Sequence, residues 1–217
     1  IALETLSLTL YILASIKMDN EFALSAAIKY FIIGSFSSGI MCYGISLVCG
    51  LTGVYSFSEL QLYFLCPLET LEPLVLNYSV FGTVLIIAGF LFKLALVPFH
   101  LWIPDVYEGA SAPLAGYMSI VPKIAAFVVA LRFFEIFVSV DNRWVELILY
   151  IIVVVTMTLP NMVALVQTDV KRMLAYSSIS HAGFVMGAIL VGTTQATEGL
   201  FLYWILFLFT NLGAFAM

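Results

Sequence analysis

Charged residues are scarce in this sequence. Asp, Glu, Lys and Arg together make up 10% of its 217 residues, while 63% are hydrophobic. A soluble domain usually carries about a quarter charged residues, so this composition argues against an ordinary soluble domain. Five stretches contain none of the four charged types: 30–58, 73–92, 147–168, 173–197 and 199–217. Each is about long enough to cross ~30 Å of hydrocarbon as a helix.

Basic clusters, cysteine pairs and common catalytic motifs are also missing. The formal net charge is −5, which argues against a nucleic-acid partner. Cys42, Cys49 and Cys66 form no CxxC pair, so neither a disulfide framework nor a metal site is predicted. No HExxH, GxSxG or P-loop motif and no paired histidines at haem spacing occur. The sequence therefore predicts a chain that moves ions and holds no redox group.

The apolar runs predict an all-α, polytopic transmembrane bundle that forms one membrane domain over residues 1–217. Because the sequence begins and ends inside apolar runs, we expect it to be a fragment of a longer subunit. Seven spans are predicted: 1–16, 25–49, 78–99, 114–137, 144–166, 170–192 and 198–217.

Seven spans place their connections alternately at the two membrane surfaces. The odd-numbered connections contain Lys17, Lys171 and Arg172, and Lys29 lies close to the first of them. The even-numbered connections contain only Arg143. Because positive residues favour the inner side, the odd-numbered connections are predicted to face the matrix or cytoplasm.

Five ionisable residues lie within or at the edges of the predicted spans: Glu4, Lys93, Lys123, Glu135 and His181. A lysine at the centre of a span costs about 2.5–3.5 kcal/mol on insertion scales, and such residues usually mark ion or proton pathways. Lys93 and Lys123 lie deepest, so we predict functional roles for both. Glu135 could instead extend to the interface, His181 could be a hydrogen-bonded core residue, and the depth of Glu4 depends on residues before it.

Prolines add polar backbone to these spans. Each of three prolines leaves one carbonyl without its helical donor: Leu94 for Pro98, Met118 for Pro122 and Thr156 for Pro160. The first two breaks lie beside Lys93 and Lys123. Broken helices beside buried charge are typical of transporter ion sites. Kinks that serve packing alone are the alternative.

Several segments resemble the NADH dehydrogenase subunit 2 family, the antiporter-like proton-pumping membrane subunits of respiratory complex I. The segment GFLFKLALVPFHLWIPDVYEGASAPLAGYMSIVPK (89–123) carries most of the resemblance. It extends to ETLSLTLYILA (4–14), EFALSAAIKYFIIGSFSSGIMCYG (21–44) and TDVKRMLAYSSISHAGFVMGAI (168–189). The resemblance implies an antiporter-like fold with two inverted five-helix repeats, each containing a broken helix, of which this chain would supply the fifth to eleventh helices.

The resemblance also implies roles in a proton relay for particular residues. Glu4 matches the carboxylate that pairs with a lysine of the seventh helix, and Lys93 matches that lysine. Lys123 matches the lysine that passes protons towards the central axis, while His181 and Lys171 match the tenth-helix region. The exit-channel lysine of the family would lie beyond Met217. Ser25 departs from the family, whose members commonly carry Glu there.

The partners and cofactors implied by the resemblance lie outside this chain. We expect as partners lipids, a second piece of subunit 2 and other membrane-arm subunits, with antiporter-like neighbours among them, but no nucleic acid. NADH, FMN, iron–sulfur clusters and ubiquinone would bind elsewhere in the complex. The implied location is the mitochondrial inner membrane, with a bacterial plasma membrane or plastid thylakoid as alternatives. A cation/proton antiporter subunit and a structural membrane spacer are the alternative functions.

The mechanism expected from this resemblance depends on one ion pair. At about 4 Å and an effective dielectric near 20, Glu4 and Lys93 would attract by ~4 kcal/mol. Opening and closing the pair would switch Lys93 between holding and releasing a proton, which Lys123 would receive. His100, Asp105 and Glu108 follow the third span, where protons could enter from the matrix side. A solvated or interfacial loop is the alternative interpretation for those three residues.

Overall fold

The structure, a computed structural model, describes residues 2–16, 20–65, 73–138 and 143–216. Every regular element in these ranges is an α-helix, as predicted. The helices are α1 (Ala2–Ala14), α2 (Glu21–Thr52), α3 (Phe57–Leu65), α4 (Pro73–Lys93), α5 (Trp102–Gly109), α6 (Ala112–Val138), α7 (Arg143–Ala164), α8 (Val170–Val191) and α9 (Thr194–Ala216). The predictions for Lys17 and Cys66, and for the side chain of Glu135, lie outside the described residues.

Seven of these helices correspond to the seven predicted spans. By length and composition, five described helices could cross a membrane, and α1 and residues 78–93 of α4 are shorter apolar helices. The two short helices, α3 and α5, lie in segments that were predicted to be connections. In α3, Leu60 and Phe64 lie one helical turn apart and are both buried in the core. This spacing gives α3 an apolar stripe that packs against the bundle.

Local sequence signals set the ends of two long helices. The side chain of Asn20 accepts hydrogen bonds from the first turn of α2, and that of Asp169 does the same for α8. Gly53 and Gly192 end these helices with φ of 69° and 64°. Glycine adopts this left-handed conformation without steric cost, so it is the usual residue after a helix C-terminus.

The third predicted span, 78–99, is wrong over its last six residues, 94–99. Helix α4 ends at Lys93, Ala95 adopts a φ of 57°, and the chain becomes helical again only at Trp102. Pro98 therefore lies in the irregular segment 94–101, and the prediction that it opens a continuing helix is wrong. Helix α5 forms the second part of a discontinuous helix that begins with α4, and its residues Ile103 and Val106 are almost completely buried.

A hydrogen bond from helix α7 supports the irregular segment. The backbone N–H of Val97 donates to Thr156 Oγ1 at 3.0 Å, and this hydroxyl donates to the carbonyl of Ile152 at 2.6 Å. Thr156 is fully buried. An unpaired N–H in this apolar environment would be costly, so Thr156 is one reason why the chain can leave its helix inside the bundle.

Helices α2 and α4 pack at close range. A Cβ atom built on Gly44 would lie 2.6 Å from the carbonyl oxygen of Gly82, and one on Gly82 would lie 3.0 Å from the carbonyl oxygen of Gly44. Small residues allow two helix backbones to approach this closely in membrane proteins. The contact fixes α4, and therefore Lys93 at its end, against α2.

Candidate functional site

The two groups expected to form an ion pair do so. Lys93 Nζ lies 2.7 Å from Glu4 Oε1, which joins the C-terminus of α4 to the first turns of α1. The side chain of Lys93 is 9% exposed and that of Glu4 is 27% exposed. Because both groups come from apolar helices, each supplies the counter-charge that the other needs away from water.

Hydroxyl groups complete the surroundings of this pair. Ser38 Oγ, on α2, donates to Glu4 Oε2 at 2.5 Å. Lys93 Nζ donates to Ser7 Oγ at 3.3 Å, and Ser7 in turn donates to the carbonyl of Leu3 at 2.9 Å. The sequence analysis identified neither serine, since isolated serines in apolar helices carry no distinctive pattern.

A cavity of about 30 Å³ connects Lys93 with Lys123, since both lysines line it together with Pro122 and Trp102. A buried water molecule needs about 10–15 Å³ of such space, so the cavity is large enough to hold one. The indole N–H of Trp102 is buried and has no hydrogen-bond partner among the described residues. A water molecule in this cavity would therefore find polar groups on at least two sides.

Stacked aromatic rings form one wall of this cavity. Tyr30 and Trp102 stack with ring centroids 4.4 Å apart, and Tyr11 meets Tyr30 edge-on at 4.5 Å. All three residues line the cavity. This packing forms a rigid wall of the cavity beside Lys93.

Lys123 is almost completely enclosed, with an exposed fraction of 3%. Its Nζ donates to the carbonyl oxygen of Ser178 at 2.9 Å and to Ser178 Oγ at 3.0 Å. None of the ion pairs described in the structure involves Lys123. It is therefore held by polar but uncharged acceptors on α8, in contrast to Lys93.

A second, smaller cavity lies on the far side of Lys123. It measures about 10 Å³, and Lys123, Ser178, His181 and Tyr203 are among the residues that line it. His181 Nδ1 forms a hydrogen bond with the hydroxyl of Tyr203 on α9. The two cavities therefore place Glu4, Lys93, Lys123 and His181 in one continuous row across the bundle.

Lys171 is the one predicted relay residue that lies outside this row. Its Nζ donates to the carbonyl oxygens of Glu108 and Ala110, at 3.3 and 3.0 Å. These carbonyls lie at the C-terminus of α5, where a positive charge is favourable. The contacts suit a residue that holds α5 in place, and the predicted role of Lys171 in proton transfer stays a prediction.

The acidic residues of α5 belong to a network of ion pairs. Arg172 Nη1 lies 2.9 Å from Glu108 Oε2 and 3.5 Å from Asp105 Oδ1, and Lys29 also pairs with Asp105. These contacts bring the starts of α2 and α8 and all of α5 to one end of the bundle, as expected for odd-numbered connections. Asp105 and Glu108 lie on a helix and are partly exposed, and His100 is 6% exposed. The predicted role of the three residues in proton entry stays a prediction.

Metal-binding residues do not cluster in the described part of the chain. No group of three or more His, Cys, Asp or Glu side chains there is placed to hold a metal ion. Cys42 and Cys49 are free thiols. The chemistry that the row of residues can support is therefore proton transfer between amino, carboxyl, imidazole and hydroxyl groups.

Comparison with known proteins agrees with this arrangement. The family model described as NADH:quinone oxidoreductase/Mrp antiporter, transmembrane, matches residues 1–217. The NADH-quinone oxidoreductase subunit N of Sulfurimonas denitrificans is 53% identical over 217 residues, which are the whole of this chain and 42% of that protein. The chain therefore spans less than half the length of this curated relative.

Two solved structures share the fold. Respiratory complex I from Thermus thermophilus with bound aureothin contains a chain that is 34% identical, with a TM-score of 0.78 over 99% of this chain and 44% of that one. The archaeal membrane-bound sulfane sulfur reductase contains one that is 26% identical, with a TM-score of 0.87 over 99% and 42%. This chain is a multi-pass membrane protein, and it belongs to the NADH:quinone oxidoreductase/Mrp antiporter transmembrane family.

Proposed function

We propose that this chain is the proton-carrying part of a subunit N of NADH-quinone oxidoreductase, in which quinone reduction is coupled to proton translocation. The family model covers both quinone oxidoreductase and antiporter subunits, and the 53% identity to a subunit N supports this function over a cation/proton antiporter. The row of ionisable residues supplies a pathway that a purely structural spacer would not need.

The Glu4–Lys93 ion pair is the observation on which this proposal rests. At the observed 2.7 Å and an effective dielectric near 20, the two charges attract by about 6 kcal/mol. The desolvation of both groups offsets much of this attraction. The net free energy gained from the pair is therefore smaller than this attraction, and in our scheme a change in charge elsewhere in the complex opens it.

Opening the pair would start the transfer of a proton. Lys93 would then carry its positive charge beside the cavity that it shares with Lys123. Two like charges beside one small cavity disfavour each other, so in our scheme Lys123 is neutral before the transfer. Lys93 loses one proton to water in the cavity, and Lys123 gains one from the same water.

The next steps would return both lysines to their starting states. Lys123 passes its proton across the second cavity to His181, whose ring already bonds to Tyr203. Lys93 regains a proton from the side of the bundle where Asp105 and Glu108 lie, and closes again on Glu4. The exit pathway would belong to parts of the subunit beyond Met217.

The proposal assigns redox chemistry to other parts of the complex. NADH, FMN, iron–sulfur clusters and ubiquinone would bind there, and this chain would hold no cofactor. Neighbouring membrane-arm subunits, antiporter-like ones among them, and the remainder of subunit N would cover the exposed apolar faces. The bacterial relatives favour the plasma membrane over the mitochondrial inner membrane that the sequence analysis put first.

The test is made in the assembled complex in membrane vesicles. We expect Glu4→Gln and Lys93→Ala to lower NADH:quinone oxidoreductase activity and proton uptake together, because each removes one half of the ion pair. Activity is followed by NADH oxidation and proton uptake by quenching of a pH-sensitive dye. Glu198→Gln is the matched control, since Glu198 is an exposed carboxylate on α9.

Assembly of each variant is checked by native gel electrophoresis. If assembled Glu4→Gln and Lys93→Ala complexes pump as well as Glu198→Gln, the proposed pathway is wrong, and the spacer alternative would explain the chain better.

A further inference from the structure

The carboxylate of Glu4 is held from two helices. Oε1 faces Lys93 Nζ on α4 at 2.7 Å, and Oε2 accepts a hydrogen bond from Ser38 Oγ on α2 at 2.5 Å. Ser38 lies near the middle of α2 and is partly buried. Its hydroxyl therefore meets a charged acceptor within a largely apolar helix.

The two contacts of Glu4 differ in kind. The contact with Lys93 joins two charges and is lost when the lysine moves away. The contact with Ser38 is a hydrogen bond from a neutral donor to a charged acceptor. Such a hydrogen bond is stronger than one between two neutral groups, and this one does not depend on Lys93. The last torsion of a glutamate side chain has only broad preferences, so without Ser38 the carboxylate could turn away from its position.

Ser7 does not serve the same purpose. It lies on α1 beside Glu4 and accepts from Lys93 at 3.3 Å, while its own proton goes to the carbonyl of Leu3. Its hydroxyl therefore contacts the lysine, and Ser38 supplies the hydrogen bond from α2 to the carboxylate.

We propose that Ser38 is a positioning residue that keeps the Glu4 carboxylate in place when Lys93 leaves and returns. This inference rests on the proposed function, since it concerns the switching of the same ion pair. During the open phase, Ser38 retains one partner for a carboxylate that has lost its counter-charge. Lys93 then closes onto an acceptor that has not moved, and the next cycle can begin.

The experiment compares substitutions in the assembled complex, with NADH:quinone oxidoreductase activity and proton uptake measured together. Ser38→Ala removes the donor, and Ser38→Thr restores a hydroxyl at the same position. Ser35→Ala is the control, because Ser35 lies one turn away on α2 and is exposed. Glu4→Gln and the Ser38→Ala/Glu4→Gln double variant complete a double-mutant cycle.

We expect Ser38→Ala to lower both activities by up to about ten-fold. A loss of this size lies at the low end of the range expected for removing a hydrogen bond to a charged group. Ser38→Thr should recover most of this loss, and Ser35→Ala should match the parent complex. In the Glu4→Gln background, Ser38→Ala should cause no further loss, because the charge on which it acts is gone. A residue that only packed the helices would cause the same loss with or without Glu4.

Three results would overturn the inference while leaving the proposed function intact, provided that Glu4→Gln itself is impaired. In the first, Ser38→Ala is as active as Ser35→Ala. In the second, Ser38→Thr does not recover the activity lost in Ser38→Ala. In the third, the Ser38→Ala/Glu4→Gln double variant is less active than Glu4→Gln alone. If Glu4→Gln pumps normally, the proposed function fails, and the role of Ser38 fails with it.

Discussion

The close packing of α2 against α4 makes Gly44→Ala a sharp test of the fold. The added methyl carbon would lie 2.6 Å from the carbonyl oxygen of Gly82 and 2.9 Å from Leu85 Cβ. Contacts below 3.0 Å essentially never occur at real Cβ atoms, and the Gly82 oxygen is backbone, which cannot rotate away. The two helices must therefore separate to accept the methyl group.

The cost of this separation can be estimated from overpacked cores, where an extra methylene destabilises the folded state by about 1–3 kcal/mol. Replacing glycine by alanine within a helix also stabilises it, by about 0.8–1 kcal/mol in water. Gly39→Ala supplies this second effect alone, since a Cβ atom on Gly39 would meet nothing within 4 Å. The difference between the two variants therefore isolates the overpacking cost.

The measurement is the apparent melting temperature of the detergent-solubilised full-length subunit, followed by loss of the monodisperse peak in size-exclusion chromatography. A cost of 1–3 kcal/mol corresponds to a lowering of about 2–12 °C for a folding unit as long as this chain, and to a smaller shift for a longer subunit. Gly44→Ala should melt below Gly39→Ala by that amount. Equal melting temperatures, or a higher value for Gly44→Ala, would refute the close contact between α2 and α4.

Two further predictions concern the segments that hold the discontinuous helix. Thr156→Val should lower the melting temperature by the equivalent of about 1–3 kcal/mol, because the N–H of Val97 loses its acceptor inside the bundle. Thr158→Val is its control, since Thr158 is exposed and donates hydrogen bonds only to carbonyls of its own helix. Equal melting temperatures of the two variants would contradict the role of Thr156. Arg172→Gln should destabilise the subunit more than Lys29→Gln, because Arg172 contacts both carboxylates of α5 and Lys29 contacts only one of them. Lys29 is also exposed, and an exposed ion pair contributes only about 0–1 kcal/mol. The same melting assay checks this order, and a larger effect of Lys29→Gln would show that Arg172 does not hold α5.

Some parts of the candidate site were predictable because their signals are strong over short stretches. A lysine within an uncharged, apolar run is costly enough to predict function, and this argument identified Lys93 and Lys123. The pairing of Lys93 with Glu4, 89 residues away along the chain, came from the family resemblance. The structure places these two groups in contact, although their catalytic roles stay predictions.

Other parts could not be predicted because their partners are distant in sequence and ordinary in type. Ser38, Ser178 and Tyr203 are common residues in apolar helices, and only their contacts with Glu4, Lys123 and His181 distinguish them. The prediction for Pro98 failed for a related reason. The rule that a proline frees a helical carbonyl assumes a continuing helix, and α4 ends five residues earlier.

The sequence is enough to predict a bundle of membrane helices, because the length of the hydrophobic runs and the scarcity of charge are local properties that require no knowledge of neighbouring segments. Asn20, Asp169, Gly53 and Gly192 set the ends of α2 and α8 locally, although the predicted span 25–49 is shorter than α2 at both ends. The tertiary structure decided where the third span breaks, since the irregular backbone is stable only where Thr156 of α7 accepts the N–H of Val97. It also decided which polar groups form one row, because that depends on helix packing across the bundle.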